Sequence, residues 1–195
     1  MGQIGKFFLF CYRTLYRLRC KCFSLLAAGA FRSFGKRTAI MLPVQIAGED
    51  RVVLGDRVYV GANSWIQALA DGPSNAVAIR IGSGTSIAGA CVISAVRSVT
   101  LEDDVLIARN VYISDHIHKY DDTSEAILNQ GVDKIAPVLI KRGVWLGQNV
   151  VVCPGVTIGQ GSVIGANAVV TRDIAEFSVA AGVPARVIKQ IARNH

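Results

Sequence analysis

Charged side chains make up only 18% of these 195 residues against 51% hydrophobic, and histidine occurs just three times. A chain so poor in charge and so rich in aliphatics can bury a real core, which excludes a disordered tether, and its length suits one main domain. Acidic residues are missing altogether before Glu49, whereas Lys6, Arg13, Arg17, Arg19, Lys21, Arg32, Lys36 and Arg37 all precede it, so positions 1–48 alone carry +8. The remainder is close to neutral, with 13 basic and 14 acidic residues. Aromatics are few, at 7%, and the body has no basic face interleaved with them, so no nucleic-acid partner is expected. The cysteines Cys11, Cys20, Cys22, Cys91 and Cys153 are odd in number and irregularly spaced. That argues against a disulfide framework and points to a reducing, cytoplasmic setting. Cys20 and Cys22 have no further ligands nearby, so they read as small apolar helix residues and no metal is expected. There is neither a phosphate-binding P-loop nor a dinucleotide fingerprint, because the glycines recur with another period.

Long apolar runs are lacking too. Four charges between Arg13 and Lys21 interrupt what a membrane span would need, and the run Phe7 to Phe10 is too short for a signal-peptide core. The start MGQIGK lacks the Ser or Thr of a myristoylation signal. What the arm does hold is helical periodicity. Phe8, Cys11, Leu15, Leu18, Cys22 and Leu25 recur at steps of three and four, with Lys6, Arg13, Arg17 and Lys21 along another side. This predicts a basic amphipathic helix in which residues 3–28 either lie in an anionic membrane interface or pack on the body or a neighbouring subunit.

The body has a period of six. LGDRVY from Leu54, VGANSW from Val60, IGSGTS from Ile81, IAGACV from Ile87, LEDDVL from Leu101 and IARNVY from Ile107 align on a branched aliphatic. An unbroken second set runs IKRGVW from Ile140, LGQNVV from Leu146, VCPGVT from Val152, IGQGSV from Ile158, IGANAV from Ile164 and VTRDIA from Val170. Six matches neither a helix nor a lone alternating strand, so each unit is one short strand plus one corner. The aliphatic points inward, the neighbouring Gly, Asn or Asp permits the corner, and stacked coils bury a continuous column.

Over residues 51–191 the chain resembles the hexapeptide-repeat acyltransferases, within them the maltose and galactoside O-acetyltransferase-like branch with its polysaccharide-modifying members. Two segments carry the likeness: ISDHIH (Ile113 to His118), and the ending VVTRDIAEFSVAAGVPARVIKQI with its Gly182 to Arg186 turn. The resemblance implies an all-β fold, a left-handed parallel β-helix with an N-terminal amphipathic helical arm and a short C-terminal helix. The corresponding division is an arm with its lead-in over 1–48 and a coil domain over 49–195, with an inserted loop at 115–137 and a C-terminal helix at 184–193. It further implies a homotrimer with sites between subunits, and acetyl-CoA as cosubstrate.

Between His116 and Pro137 the hexads give way to a polar stretch, and a long loop leaving a rigid scaffold is a common place for a site. A sugar hydroxyl is a poor nucleophile at neutral pH, so acyl transfer to it needs a base such as imidazole, and backbone N–H groups at a tight turn can hold the oxyanion. The resemblance carries the general base to His116. His118, Asp115 and Asn110 are candidates for orienting or acceptor contacts, and Asp115, Asp121 or Asp122 could orient the imidazole. The resemblance also places CoA along the C-terminal coils, making Trp145, Gly147, Gln148, Ala166, Thr171, Arg172, Pro184 and Arg186 cofactor-binding candidates, the two arginines suited to phosphate.

Ala90 stands where related sugar acetyltransferases can carry Asn, which weakens maltose or galactoside as acceptor, and the basic arm fits a lipid-linked surface-polysaccharide or lipopolysaccharide precursor better. A protein acting there would be cytoplasmic, peripheral on the inner face of the cytoplasmic membrane. Serine or nucleotide-sugar N-acetyl transfer and a non-catalytic scaffold are the alternatives on the same fold. A three-histidine metal hydrolase on a similar coil would need a third histidine beside His116 and His118, and His195 is the last residue.

Overall fold

A computed structural model describes residues 2–70 and 75–192. His195 and positions 71–74, part of the 67–80 stretch that departs from the hexads, lie outside the described residues.

The chain folds as an N-terminal helix, Gly2–Ala27, followed by a left-handed parallel β-helix. Each coil places one short strand on each of three faces. The first face stacks Ser33–Phe34, Val52–Leu54, Ile79–Ile81, Val99–Leu101, Val138–Ile140 and Thr157–Ile158. The second begins with Ala39–Ile40 and Tyr59–Val60 and runs to Val163–Ile164, and the third runs from Gln45–Ala47 through Tyr112–Ser114 to Val169–Val170. Inward side chains lie one above another in register: Leu54, Ile81, Leu101, Ile140 and Ile158 on the first face are all at most 1% exposed. Buried corner hydroxyls tie successive coils, Thr38 Oγ1 accepting from Val58 N–H and Thr85 Oγ1 from Val105 N–H.

Two boundaries differ from expectation. The coil begins at Ser33, so the boundary at 48/49 falls inside it: Phe34, Ile40 and Ile46 already fill the inward positions of a first coil. At the other end the expected helix at 184–193 is instead a strand, Arg186–Gln190, antiparallel to Ser178–Ala181. A five-residue segment with adjacent Val187 and Ile188 is too short to sustain a helix, and as a strand it covers the backbone edge that the last coil would leave open.

The helix docks on the first coil by a narrow seam. Tyr16 Oη donates to Leu42 O (2.8 Å), and Ser24 Oγ donates to Cys20 O (2.8 Å) while accepting from Ile40 N–H (2.9 Å). Cys20 and Ser24 are buried there, and Phe23 and Ala27 rest on the core. The residues that make the helix amphipathic are elsewhere: Phe8 is 67% exposed, Leu15 66%, Leu18 55% and Leu25 69%. At about 100° per residue that stripe lies roughly opposite the seam, so packing on this chain's own body leaves it bare.

Because each inward aliphatic is enclosed by the coils above and below, truncation leaves a cavity. Ile107→Ala should lower unfolding free energy by about 3 kcal/mol and Ile107→Val by about 1 kcal/mol in chemical denaturation; equal small losses would contradict the packed column.

Candidate active site

The loop departures from the coil fall at one corner, where the third face turns toward the first. Residues 48–51, 75–78, 96–98, 115–137 and 153–156 occupy this corner in successive coils. The largest insertion leaves it directly after Tyr112–Ser114, and its base is closed by an antiparallel pair, Ile117–His118 with Val132–Asp133. Asp115 and His116 are the last residues before the chain departs, both buried.

Asp115 is held by backbone. Its Oδ1 accepts from Val96 N–H (2.9 Å), and its Oδ2 accepts from Arg97 and Ser98 N–H (2.7 Å each), three consecutive amides of the preceding coil's corner. The same Oδ1 lies 2.8 Å from His116 Nδ1. Burial by itself would raise the Asp115 pKa, but the bond from His116 and the three amides outweigh it and hold the carboxyl below its usual range. An ionised Asp115 fixes the proton of His116 on Nδ1, leaving Nε2 with its lone pair and no intramolecular hydrogen-bond partner among the described residues. Ser114 Oγ completes the cradle, donating to His116 O (2.9 Å) and accepting from His116 N–H (3.2 Å). Oriented base, ordered tautomer and restricted solvent are what proton abstraction from an alcohol requires.

The other site candidates are distributed over three places. His118 is exposed on the loop's basal strand, and Asp121 and Asp122 are exposed within the loop, where Asp122 caps Ser124 rather than the imidazole. Of the three acids considered for orientation, the structure brings Asp115 to His116. Asn110 sits at a different corner, in a left-handed conformation, and donates through Nδ2 to Asn149 Oδ1 (3.2 Å), which continues to Asn167 (2.8 Å). Ala90 occupies the equivalent corner one coil earlier, also with positive φ, so an Asn there would extend this ladder. Gly147, Gln148 and Ala166 stack at that ladder's corner, and a Cβ on Gly147 would lie 2.7 Å from Ala166 N. Trp145 projects from the second face just before it, 48% exposed. Thr171 and Arg172 sit exposed at the His116 corner two coils on; Pro184 and Arg186 belong to the closing segment, which bonds Val169 through Gly182 O and Ala185 N. Among the described residues no group of three or more His, Cys, Asp or Glu could hold a metal ion.

Sequence reasoning missed Arg51. It is 6% exposed and its guanidinium collects three backbone carbonyls of the same corner: Nε donates to Ala76 O (3.2 Å), Nη1 to Leu69 O and Nη2 to Val96 O (2.9 Å). The peptide joining Val96 to Arg97 thus accepts from Arg51 at its carbonyl and donates to Asp115 at its N–H. A cation and an anion buried in the same corner are linked through one polarised peptide, so Arg51 fixes the amides that fix Asp115.

Known proteins share the sequence repeat and the fold. The family description "Bacterial transferase hexapeptide (six repeats)" matches residues 137–172. WbbJ of Escherichia coli K12, named for O-acetyl transfer in lipopolysaccharide biosynthesis, is 33% identical over 162 residues, covering 80% of this chain and 79% of that protein. Galactoside O-acetyltransferase of the same organism is 47% identical over 94 residues, 48% of this chain and 45% of that enzyme. Among solved structures, the N-acyltransferase AntD from Bacillus cereus, with dTDP and 3-hydroxybutyryl-CoA, superposes with a TM-score of 0.72 at 22% identity, covering 86% of this chain and 87% of that one.

Since the folded-state Asp115 pKa is depressed, its contribution to stability is present above the unfolded carboxylate pKa and lost as pH falls through the folded value. The parent's melting temperature should therefore drop on acidification below the ordinary carboxylate range, and Asp115→Asn should remove that part of the drop while lowering stability at neutral pH. Arg51→Met, which strands three carbonyls, should cost roughly 3 kcal/mol in denaturant melts.

Proposed function

The chain belongs to the bacterial hexapeptide-repeat transferases, and we propose that it is an acetyl-CoA-dependent O-acetyltransferase acting on a sugar hydroxyl, with His116 as general base. The observation that carries this reading is the buried Asp115–His116 pair at the root of the inserted loop, an imidazole whose tautomer leaves Nε2 available.

In the reaction the acceptor hydroxyl gives its proton to Nε2 as its oxygen attacks the thioester carbonyl, forming the C–O bond and a tetrahedral oxyanion. Collapse breaks the C–S bond, and the imidazolium returns the proton to the departing CoA thiolate. Asp115 holds the ring and stabilises the imidazolium without taking the proton itself. CoA would lie along the C-terminal coils, where Trp145, Gly147, Gln148, Ala166, Thr171, Arg172, Pro184 and Arg186 are the residues to hold it and the two arginines suit its phosphates. A homotrimer completes each site with a neighbouring coil.

The acceptor is a lipid-linked saccharide of the kind used in surface-polysaccharide or lipopolysaccharide assembly, in keeping with the likeness to WbbJ. The bare apolar stripe of the helix, flanked by basic residues and no acid, supports an arm lying in the anionic inner face of the cytoplasmic membrane, where such acceptors are presented. The N-acyl alternative is an amine acceptor, which needs no hydroxyl deprotonation; AntD, of similar fold, is an N-acyltransferase.

With purified protein, acetyl-CoA and lipid-linked saccharide, His116→Ala should lower kcat by about 10³-fold or more while acetyl-CoA affinity by calorimetry stays near the parent's. Parent protein that transfers acetyl to amino sugars, with release of CoA, but never to hydroxyl acceptors would overturn the O-acetyl reading. Asp115→Asn should reduce kcat with little change in KM for acetyl-CoA.

A further inference from the structure

Between the C-terminal half of the helix and the first coil lies a groove of about 660 Å³. Four cations line it, Arg17 and Lys21 from the helix and Lys36 and Arg37 from the turn after Ser33–Phe34, and no carboxylate does. None of the four forms an ion pair among the described residues; Asp56 accepts only the backbone N–H of Lys36. The hydroxyls in the wall, Ser24 and Thr38, already donate to Cys20 O and Gly55 O. The rest of the lining is mostly apolar, including Phe34, Leu25 and Met41.

We propose that this groove binds a phosphate-bearing lipid of the bilayer, its headgroup among Arg17, Lys21, Lys36 and Arg37 and its chain against the apolar wall. Two features select this occupant. Uncompensated cations over a hydrocarbon floor match an anionic amphiphile, whereas a free anion would use only the first and a neutral chain only the second. The groove is also continuous with the bare apolar stripe, because Leu25 belongs to both and is 69% exposed. A lipid seated here would enter from the surface on which the helix lies, so the proposal rests on the membrane reading of the arm. Lys6, Arg13, Arg17 and Lys21 fall within about 80° of one another around the helix, so the basic side leads along its length into the groove. The arm then does more than adhere: a headgroup fixed between helix and first coil sets how the coil stands on the membrane.

The test uses the full chain, calorimetric titration with monomeric dihexanoyl-phosphatidylglycerol, and sedimentation with phosphatidylcholine vesicles with or without phosphatidylglycerol. The short-chain lipid should bind at one per chain, and inorganic phosphate should not compete. Lys21→Gln with Lys36→Gln should weaken that binding about 30-fold, whereas Lys6→Gln with Arg13→Gln, the same charge change away from the groove, should leave it within twofold. Equal losses in the two pairs, competition by inorganic phosphate, or no binding of the short-chain lipid by the folded parent would each overturn the groove. Binding of the short-chain lipid without attachment to either vesicle would overturn the membrane reading, and with it the bilayer as the source of the groove's lipid.

Discussion

Burial of one inward apolar side chain per face in each coil, nearly always a branched aliphatic, keeps this backbone wound, and the remaining architecture follows from where that burial can be interrupted. A strand of two or three residues has no independent stability; each persists because the coils on both sides enclose its inward side chain and bond its backbone. Leu101, Ile107 and Ile113, successive hexad leaders, are wholly buried on the three faces of one coil. Insertions therefore cannot fall within a face without opening the column. They fall at corners, and here the long ones share a single corner.

That corner faces an accounting problem the hexads solve elsewhere with small residues. When the chain leaves the regular path, backbone carbonyls and amides lose the partners that a coil would supply. Arg51 gathers carbonyls from two coils, and Asp115 gathers amides from the second of them. The two charges solve the bonding of the irregular corner, and in doing so leave one carboxylate oxygen fixed beside an imidazole. The Asp115–His116 geometry and the closure of the insertion are thus the same set of bonds, which explains why the ordered imidazole stands at the root of the loop, whereas His118 on the loop is exposed.

The column and the position of His116 were legible because both leave periodic or local marks: an aliphatic every sixth residue, and a histidine where the period stops. The first coil also carried the mark, with Phe34, Ile40 and Ile46 six apart, but Lys36, Arg37 and Pro43 obscured the small-residue pattern and two extra residues separate Ile46 from Leu54. The choice of Asp115 over Asp121 and Asp122 was not legible, since its amide partners lie 17 to 19 residues away in sequence. Arg51 left no mark at all: beside Glu49 and Asp50 it reads as surface charge. The closing strand was misread as a helix because the sequence does not display the open edge that gives Arg186–Gln190 its partner.

The helix had two sides and only one could be assigned from the coil. A periodic stripe says that an apolar face exists, not what covers it. Here the body takes the seam of Tyr16, Cys20, Phe23 and Ser24, where a tyrosine and a serine hydroxyl bond the first coil, and this seam has few of the large side chains that give the helix its moment. A helix selected only to cover the coil's end would turn Phe8, Leu15 and Leu18 inward. Outward, they form an exposed apolar stripe beside a row of cations, while the polar seam holds the helix in that orientation; the proposed anionic membrane surface would cover such a stripe. The helix seam and the Asp115–His116 corner are therefore separate devices on one coil: the seam engages the first coil through Tyr16 and Ser24, and the corner is closed by bonds of its own.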